Sequence, residues 1–286
     1  MRLFGNEPAL LLTHSRVPHL IGLMTSTPSR PWVAGMWGLY RPHAFSKVLS
    51  RATRVWVASS SASSHAREKL GVSGHKIEVH PRGIDPTQFE ISPAAVEVWG
   101  TSDVVLGVGR LTQQKGVSLF VRAFALAKER HPSLHGVWLG PIESQRAYDD
   151  AHDLIKEYQL SSSFHFVPAV SDPRPWYQRA TVVVSLPPIT PEAFGRTLLE
   201  AMASGRAVVS AAHGGPLDFI LDKETGLLVP PGDHESAARA ICTLLDNPTL
   251  RKRLANRAQG IALRDLSLPF LMKRQVQSLR ELHPSL

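Results

Sequence analysis

The sequence predicts an α/β chain built on parallel sheets, and three observations carry that prediction. Short apolar runs alternate with amphipathic stretches of helical period from one end of the 286 residues to the other. No internal repeat or low-complexity tract interrupts the alternation. Glycine-bearing turns follow several of the apolar runs, where a strand must hand over to a helix.

The elements follow in order. ALLLTHS is a short strand, VPHLIGLM a helix, TPSRP a proline-punctuated link and WVAGMWG a strand. HAFSKVLSRA is a helix, RVWVASS a strand, SASSHAREKLG a helix and KIEVHPRGID a strand. The stretch PTQFEISPAAVEVWGTSD breaks the pattern with Pro86, Pro93 and Gly100, which sets a domain boundary near residue 95. Beyond it DVVLGVG is a buried-type strand and VSLFVRAFALAKERH an amphipathic helix. LHGVWLGP, FHFVPA, TVVVSLP, AVVSAA and GLLVPPG are further strands, separated by the helices AYDDAHDLIKEYQL, PRPWYQRA, TLLEAMASG and PLDFILD. HESAARAICTLLD is another helix. Such a doubly wound sheet binds ligands beyond the carboxyl ends of its strands, so the loops after VVLGVG, VWLG, VVVSLP and VVSAA are where chemistry is expected.

Composition narrows the class. The chain is 43% apolar and 20% charged, with 20 Gly and 22 Pro, which is a globular balance. Its one cysteine, Cys242, excludes an internal disulfide and a cysteine-rich metal site. No apolar run approaches the roughly 18 residues that span a bilayer. The start, MRLFGNEPALLL, is interrupted by Gly5, Asn6, Glu7 and Pro8 and makes a poor signal peptide, so a cytoplasmic protein is expected. Of the formal charge of +8, residues 1–100 carry the larger share, with 11 basic and 6 acidic side chains. That excess fits an anionic partner, whether a membrane, a phosphorylated substrate or nucleic acid, or else a solvated basic surface.

Three turns could carry chemistry. In GVGRLTQQKG, residues 107–116, glycines flank Arg110 and Lys115 between a strand and a helix, a setting for a diphosphate or for a solvated turn. It is neither a complete dinucleotide fingerprint, which disfavours a nicotinamide-dependent oxidoreductase, nor a Walker A loop. In SLPPITPEAFGRTLLEAMASG, Glu192 lies in a proline-bounded loop and Glu200 on the following helix. A loop carboxylate beside a helix N-terminus with Thr197 suits sugar hydroxyls and phosphate, and Glu200 can accept both hydroxyls of a ribose; a capped helix with surface glutamates is the plainer reading. In AAHGGPLDFI, Gly214 and Gly215 mark either a third such loop or a tight turn needing positive φ. The 13 histidines form no metal-binding spacing, no G-x-S-x-G is present, and no nucleic-acid-reading motif supports the charge.

Taken together, VVLGVGRLTQQKGVSLFVRAFALAKERHPSLHGVWLGP, PEAFGRTLLEAMASGRAVVSAAHGGPLDFI and GLLVPPGDHESAARAICTLLDNPTLRKRLANRA resemble the C-terminal half of a retaining glycosyltransferase of family 4. The likeness extends over residues 76–262. It implies a GT-B fold, two Rossmann-like domains facing a cleft: an acceptor-side domain at 1–95, a nucleotide-sugar domain at 96–262, and a helix at 263–286 that crosses back to the first. By position, Arg110 and Lys115 match the cations that hold the donor diphosphate. Glu192 and Glu200 match the E-x7-E pair, on the donor sugar and on the ribose, with Gly109, Phe194, Gly195, Arg196 and Thr197 completing the donor contacts. The resemblance implies transfer of a hexose from a nucleotide diphosphate sugar, UDP-linked by expectation, to a glycan, lipid-linked or lipopolysaccharide-type acceptor. It implies retention of configuration and neither a metal nor a cofactor.

Two departures stand out. The family's opening strand and glycine loop are absent, so the N-terminal domain is expected to be truncated. WVAGMWGLYRPHAFS resembles a stretch with histidine before GLY, but here the residue is Trp37, which cannot accept a proton. Either His14, Arg16 or His43 substitutes, or turnover is impaired and the chain is a nucleotide-sugar-binding module. Peripheral association with the inner face of an anionic membrane is the remaining expectation.

Overall fold

The computed structural model describes residues 9–90 and 94–283. The start that bears on the truncation, residues 1–8, lies outside them. The chain divides into two compact units.

The first comprises residues 1–83 with 192–194 and 268–286. Its four strands, β1 (Leu11–His14), β2 (Trp32–Met36), β3 (Arg54–Val57) and β4 (Ile77–Val79), lie parallel in the order β1-β2-β3-β4. Between them run α1 (Arg16–Thr25), the single turn α2 (Ala44–Lys47) and α3 (Ser60–Leu70). Every residue of β2 is buried, as its uninterrupted apolar run requires, and Trp32, Met36, Leu49, Val55, Val57 and Leu70 form the core. Helix α3 starts where Ser59 Oγ accepts from the Ala62 N–H and stops at Gly71 in the left-handed region. The stretch 43–52 is less regular than the sequence predicts, since α2 passes after one turn into a 3-10 turn, Val48–Arg51. The strand at 76–85 is likewise cut to three residues, and the His80 N–H makes the last bond to β3, on the Val57 carbonyl.

The second unit comprises residues 84–191 and 195–267. It opens with the short α4 (Thr87–Glu90) and continues β5 (Val104–Val108), α5 (Val117–Arg130), β6 (His135–Leu139), α6 (Gln145–Glu157) and β7 (Phe164–Val167). After α7 (Arg174–Arg179) come β8 (Val182–Ser185), α8 (Arg196–Ala203), β9 (Ala207–Ala211), β10 (Leu227–Val229), α9 (His234–Asp246) and α10 (Pro248–Arg264). All six strands are parallel, in the order β10-β9-β8-β5-β6-β7. The order reverses at β5, whose neighbours are β6 and β8, so the loops after β5 and β8 open at the switch point where such sheets bind ligands. Phe120, Phe124, Trp138 and Phe164 meet edge to face in the core.

The units divide between Gly83 and Ile84 rather than near residue 95. The irregular segment belongs to the second unit because Arg179 donates to the carbonyls of Val98, Gly100 and Ser102. PLDFILD, expected to be a helix, is only a 3-10 turn, Gly215–Asp218. Thr225 Oγ accepts from the Leu221 N–H, which turns the chain away from a second helical turn.

Helix α11 (Leu268–Leu282) belongs to the first unit and begins later than expected, with Pro269 in its first turn. Its Ser278 and Glu281 accept from Arg54, while Ser278 Oγ, Trp56 Nε1 and His80 Nε2 converge on the Glu78 carboxylate. Burial would raise the Glu78 carboxyl, but hydrogen bonds from Ser278 and His80 and the charge of Arg54 outweigh it and hold it below the usual carboxylate range.

Candidate functional site

The loop between β5 and α5 is shaped by its glycines. Gly116 sits at φ +76°, and a Cβ there would lie 1.8 Å from the Leu186 carbonyl oxygen, at the end of β8. Only glycine lets the start of α5 come so close to that strand. Lys115, in the 3-10 turn Gln113–Lys115, lays its stem along Gly109. Arg110 is exposed, and its Nη1 is paired with Glu143 Oε2 at 2.9 Å.

The loop after β8 leads to Gly195, which caps α8 at φ +97°; a Cβ there would be 2.8 Å from Pro216 Cγ. Neither α5 nor α8 has a side-chain cap or an acidic residue in its first turn. Their opening N–H groups thus carry the positive ends of two helices at the carboxyl ends of two hydrogen-bonded strands. Arg196 and the half-buried Thr197 lie in the first turn of α8. One turn on, Glu200 receives Arg196 Nε at 2.8 Å and the Tyr177 hydroxyl at 3.2 Å. The third glycine turn takes the tight-turn form, with Gly214 at φ +77°.

Gly109, Arg110, Lys115, Gly195, Arg196, Thr197 and Glu200 therefore share the second unit. Glu192 and Phe194 do not. The segment 192–194 belongs to the first unit, where Ser59 Oγ donates to the Ala193 carbonyl at 2.6 Å and Phe194 is buried.

Within the first unit, Trp37 Nε1 donates to His14 Nδ1 at 2.7 Å, which leaves the imidazole proton on Nε2. The two rings stack at 5.7 Å, and the Arg82 guanidinium lies 5.5 Å over Trp37. Burial, then the charge of Arg82, push His14 below its ordinary value. Arg16 covers the Tyr40 ring at 4.9 Å. His43 heads α2, beside Ser46 and the edge of Phe45. Sequence reasoning missed Glu143, Tyr177 and Arg82, each of which joins its partner across tens of residues. Among the described residues no three His, Cys, Asp or Glu side chains gather to hold a metal ion, and no helix is long and apolar enough to cross a membrane.

The family model of group 1 glycosyl transferases matches residues 89–260. A D-inositol 3-phosphate glycosyltransferase of Kineococcus radiotolerans is 34% identical over 239 residues, covering 75% of this chain and 55% of that protein. The lipopolysaccharide core biosynthesis mannosyltransferase LpcC of Rhizobium leguminosarum is 32% identical over 180 residues, covering 62% and 49%. The chain spans about half the length of these curated relatives. Anabaena HepE in complex with UDP superposes with a TM-score of 0.85 at 22% identity, over 95% of this chain and 79% of that one. A complex of the same protein with UDP-glucose scores 0.84 at 22% identity, over 94% and 78%. The likeness in structure bears out the expected fold class: parallel, Rossmann-like α/β units of the GT-B glycosyltransferase type.

Proposed function

The chain belongs to the group 1 glycosyl transferases, and from that premise we propose that it moves a hexose from a UDP-linked sugar to a glycan, lipid-linked or lipopolysaccharide-type acceptor, with retention, in the manner of family 4. One observation carries the reading: two helix N-termini without side-chain caps, with Arg110 and Lys115 beside one and Glu200 on the other, start at the carboxyl ends of the paired strands β5 and β8. A diphosphate set there gains N–H donors and cations where leaving-group charge develops, so Arg110 and Lys115 take the catalytic role of charge stabilisation. Gly109, Gly195, Arg196 and Thr197 line the phosphates, and Glu200 holds the ribose. Glu192 and the backbone around Phe194 are assigned to the donor sugar on the strength of the resemblance. HepE, whose structures hold UDP and UDP-glucose, supports the choice of nucleotide.

The acceptor side is assigned to His14, Arg16 or His43. An anionic membrane is the proposed surface for this unit. Residues 8–67 hold seven Lys and Arg and no Asp or Glu, and α1 exposes Val17, Ile21 and Met24 along one face. Each basic residue near such a leaflet contributes about 1 kcal/mol.

Trp37 favours a second reading, a nucleotide-sugar-binding module with impaired turnover, because its N–H occupies the Nδ1 lone pair of His14. Sugar transfer or donor hydrolysis by the purified chain decides between the two. The donor pocket itself is tested by melting: UDP is expected to raise the melting temperature, and Lys115→Ala or Glu200→Ala to abolish the rise. No shift with UDP, GDP or ADP would overturn the donor reading.

A further inference from the structure

Tyr177 is fully buried on α7, and its hydroxyl is directed at Glu200 Oε2 while Arg196 Nε takes Oε1. A carboxylate offers about four lone-pair sites. With one taken on each oxygen, one remains on each, which is the pattern two vicinal hydroxyls need. The two holding donors are not equivalent. Arg196 is 63% exposed and pairs with Glu200 one turn away on the same helix, so solvent screens it. The phenol is shut away from water, where a hydrogen bond to a charged group is stronger.

The position of the phenol is set from elsewhere. Arg206 donates to the Gln178 and Ala180 carbonyls at the end of α7 and to the Ser204 carbonyl at the end of α8, tying the two helices together. Burial, then the negative charge of Glu200, raise the Tyr177 hydroxyl well above its usual value, so it remains a donor at any working pH.

We propose that Tyr177 is a positioning residue that aligns the Glu200 carboxylate with the paired hydroxyls of the donor ribose, and so sets the preference for ribonucleotides over 2′-deoxyribonucleotides. The proposal rests on the assignment of Glu200 to the ribose. Tyr177 acts only through that carboxylate.

The test is calorimetric binding of UDP, GDP and ADP, each beside its 2′-deoxy counterpart, to the full chain and to Tyr177→Phe and Glu200→Gln. The wild-type chain is expected to favour the ribonucleotide of the bound base by about tenfold or more, the worth of a hydrogen bond to a charged group. Tyr177→Phe should cut that ratio to about threefold or less, the ribonucleotide losing more affinity than its 2′-deoxy counterpart, which sets only one hydroxyl on Glu200. A merely structural loss would weaken both ligands alike and leave the ratio intact, which overturns the proposal. If Glu200→Gln collapses the ratio and Tyr177→Phe does not, the positioning role fails and the ribose assignment stands. If the wild-type chain binds none of the nucleotides, or Glu200→Gln keeps the full ratio, the donor reading fails and the proposal with it.

Discussion

Gly116→Ala isolates the close approach on which the proposed donor site depends, with Gly232→Ala as its internal control in the same unit. Both glycines have positive φ, +76° and +84°, but a Cβ at Gly232 meets nothing within 4 Å. Alanine at Gly232 therefore costs only the left-handed conformation, about 1–2 kcal/mol. That corresponds to a melting temperature lower by roughly 2–8 °C for a unit of this size. Alanine at Gly116 adds an overlap. Its Cβ would lie 1.8 Å from the Leu186 oxygen and 2.6 Å from the Leu186 carbonyl carbon, and contacts under 3.0 Å essentially do not occur. The start of α5 and the end of β8 must part by about 1 Å, an overpacking cost of about 1–3 kcal/mol beyond the control. Scanning fluorimetry should place Gly116→Ala at least about 3 °C below Gly232→Ala. Calorimetry should show UDP affinity down about tenfold or more in Gly116→Ala alone, since shifts of this size are costly where several groups must converge on one ligand. Equal melting and equal UDP binding in the two variants would refute the reasoning.

Further outcomes follow from the same geometry. Glu143→Gln removes the exposed partner of Arg110, a pair worth about 0–1 kcal/mol, and should tighten UDP binding by up to about fivefold; weaker binding would show that Glu143 supports the site. Burial, with His14 adding to it, lowers His19 to about 4, whereas the unfolded chain takes up its proton at the ordinary 6.5. Stability from this group is full above 6.5 and falls as the pH drops toward 4, so the urea midpoint of the first unit should fall between pH 7 and 5, and less steeply in His19→Asn. Val17→Ser with Met24→Ser should abolish cosedimentation with phosphatidylglycerol vesicles, and 0.5 M salt should weaken it in the wild-type chain; salt-insensitive binding, or a dimer lost in the double variant, would argue for a protein partner on that face.

What could be read from the sequence was what local chemistry determines. Continuous apolar runs such as VVLGV and AVVSA leave a strand little choice but the sheet interior, and a glycine turn followed by an amphipathic stretch marks where a helix begins. The apolar spacing of PLDFILD allows a helix, and Thr225 from the following turn decides otherwise. Lys115 was legible because the turn that bears it is made by its own neighbours. The state of Arg110 was not, since Glu143 reaches it from the loop after the next strand, and Tyr177 comes to Glu200 from a helix on the far side of β8 in sequence. Glu192 and Glu200 read as one motif eight residues apart, yet they belong to different compact units.

That division has a physical consequence for how the motif is to be understood. The groups proposed to bind the nucleotide, Arg110, Lys115, Glu200 and the two helix N-termini, lie on one folded unit whose sheet fixes their relative positions. Arg110 is pre-engaged by Glu143, and Glu200 by Arg196 and Tyr177. The engagements differ in kind. The Arg110 pair is exposed on both sides, so an incoming diphosphate competes with a weak, screened contact for the guanidinium. In the Tyr177 contact the phenol is shut away from water and only one lone pair of the Glu200 oxygen is used, so a ribose adds to it without displacing anything. Phosphate binding at this site is thus an exchange of partners, sensitive to salt and to Glu143, while ribose binding is an addition to an oriented carboxylate, sensitive to the packing of α7.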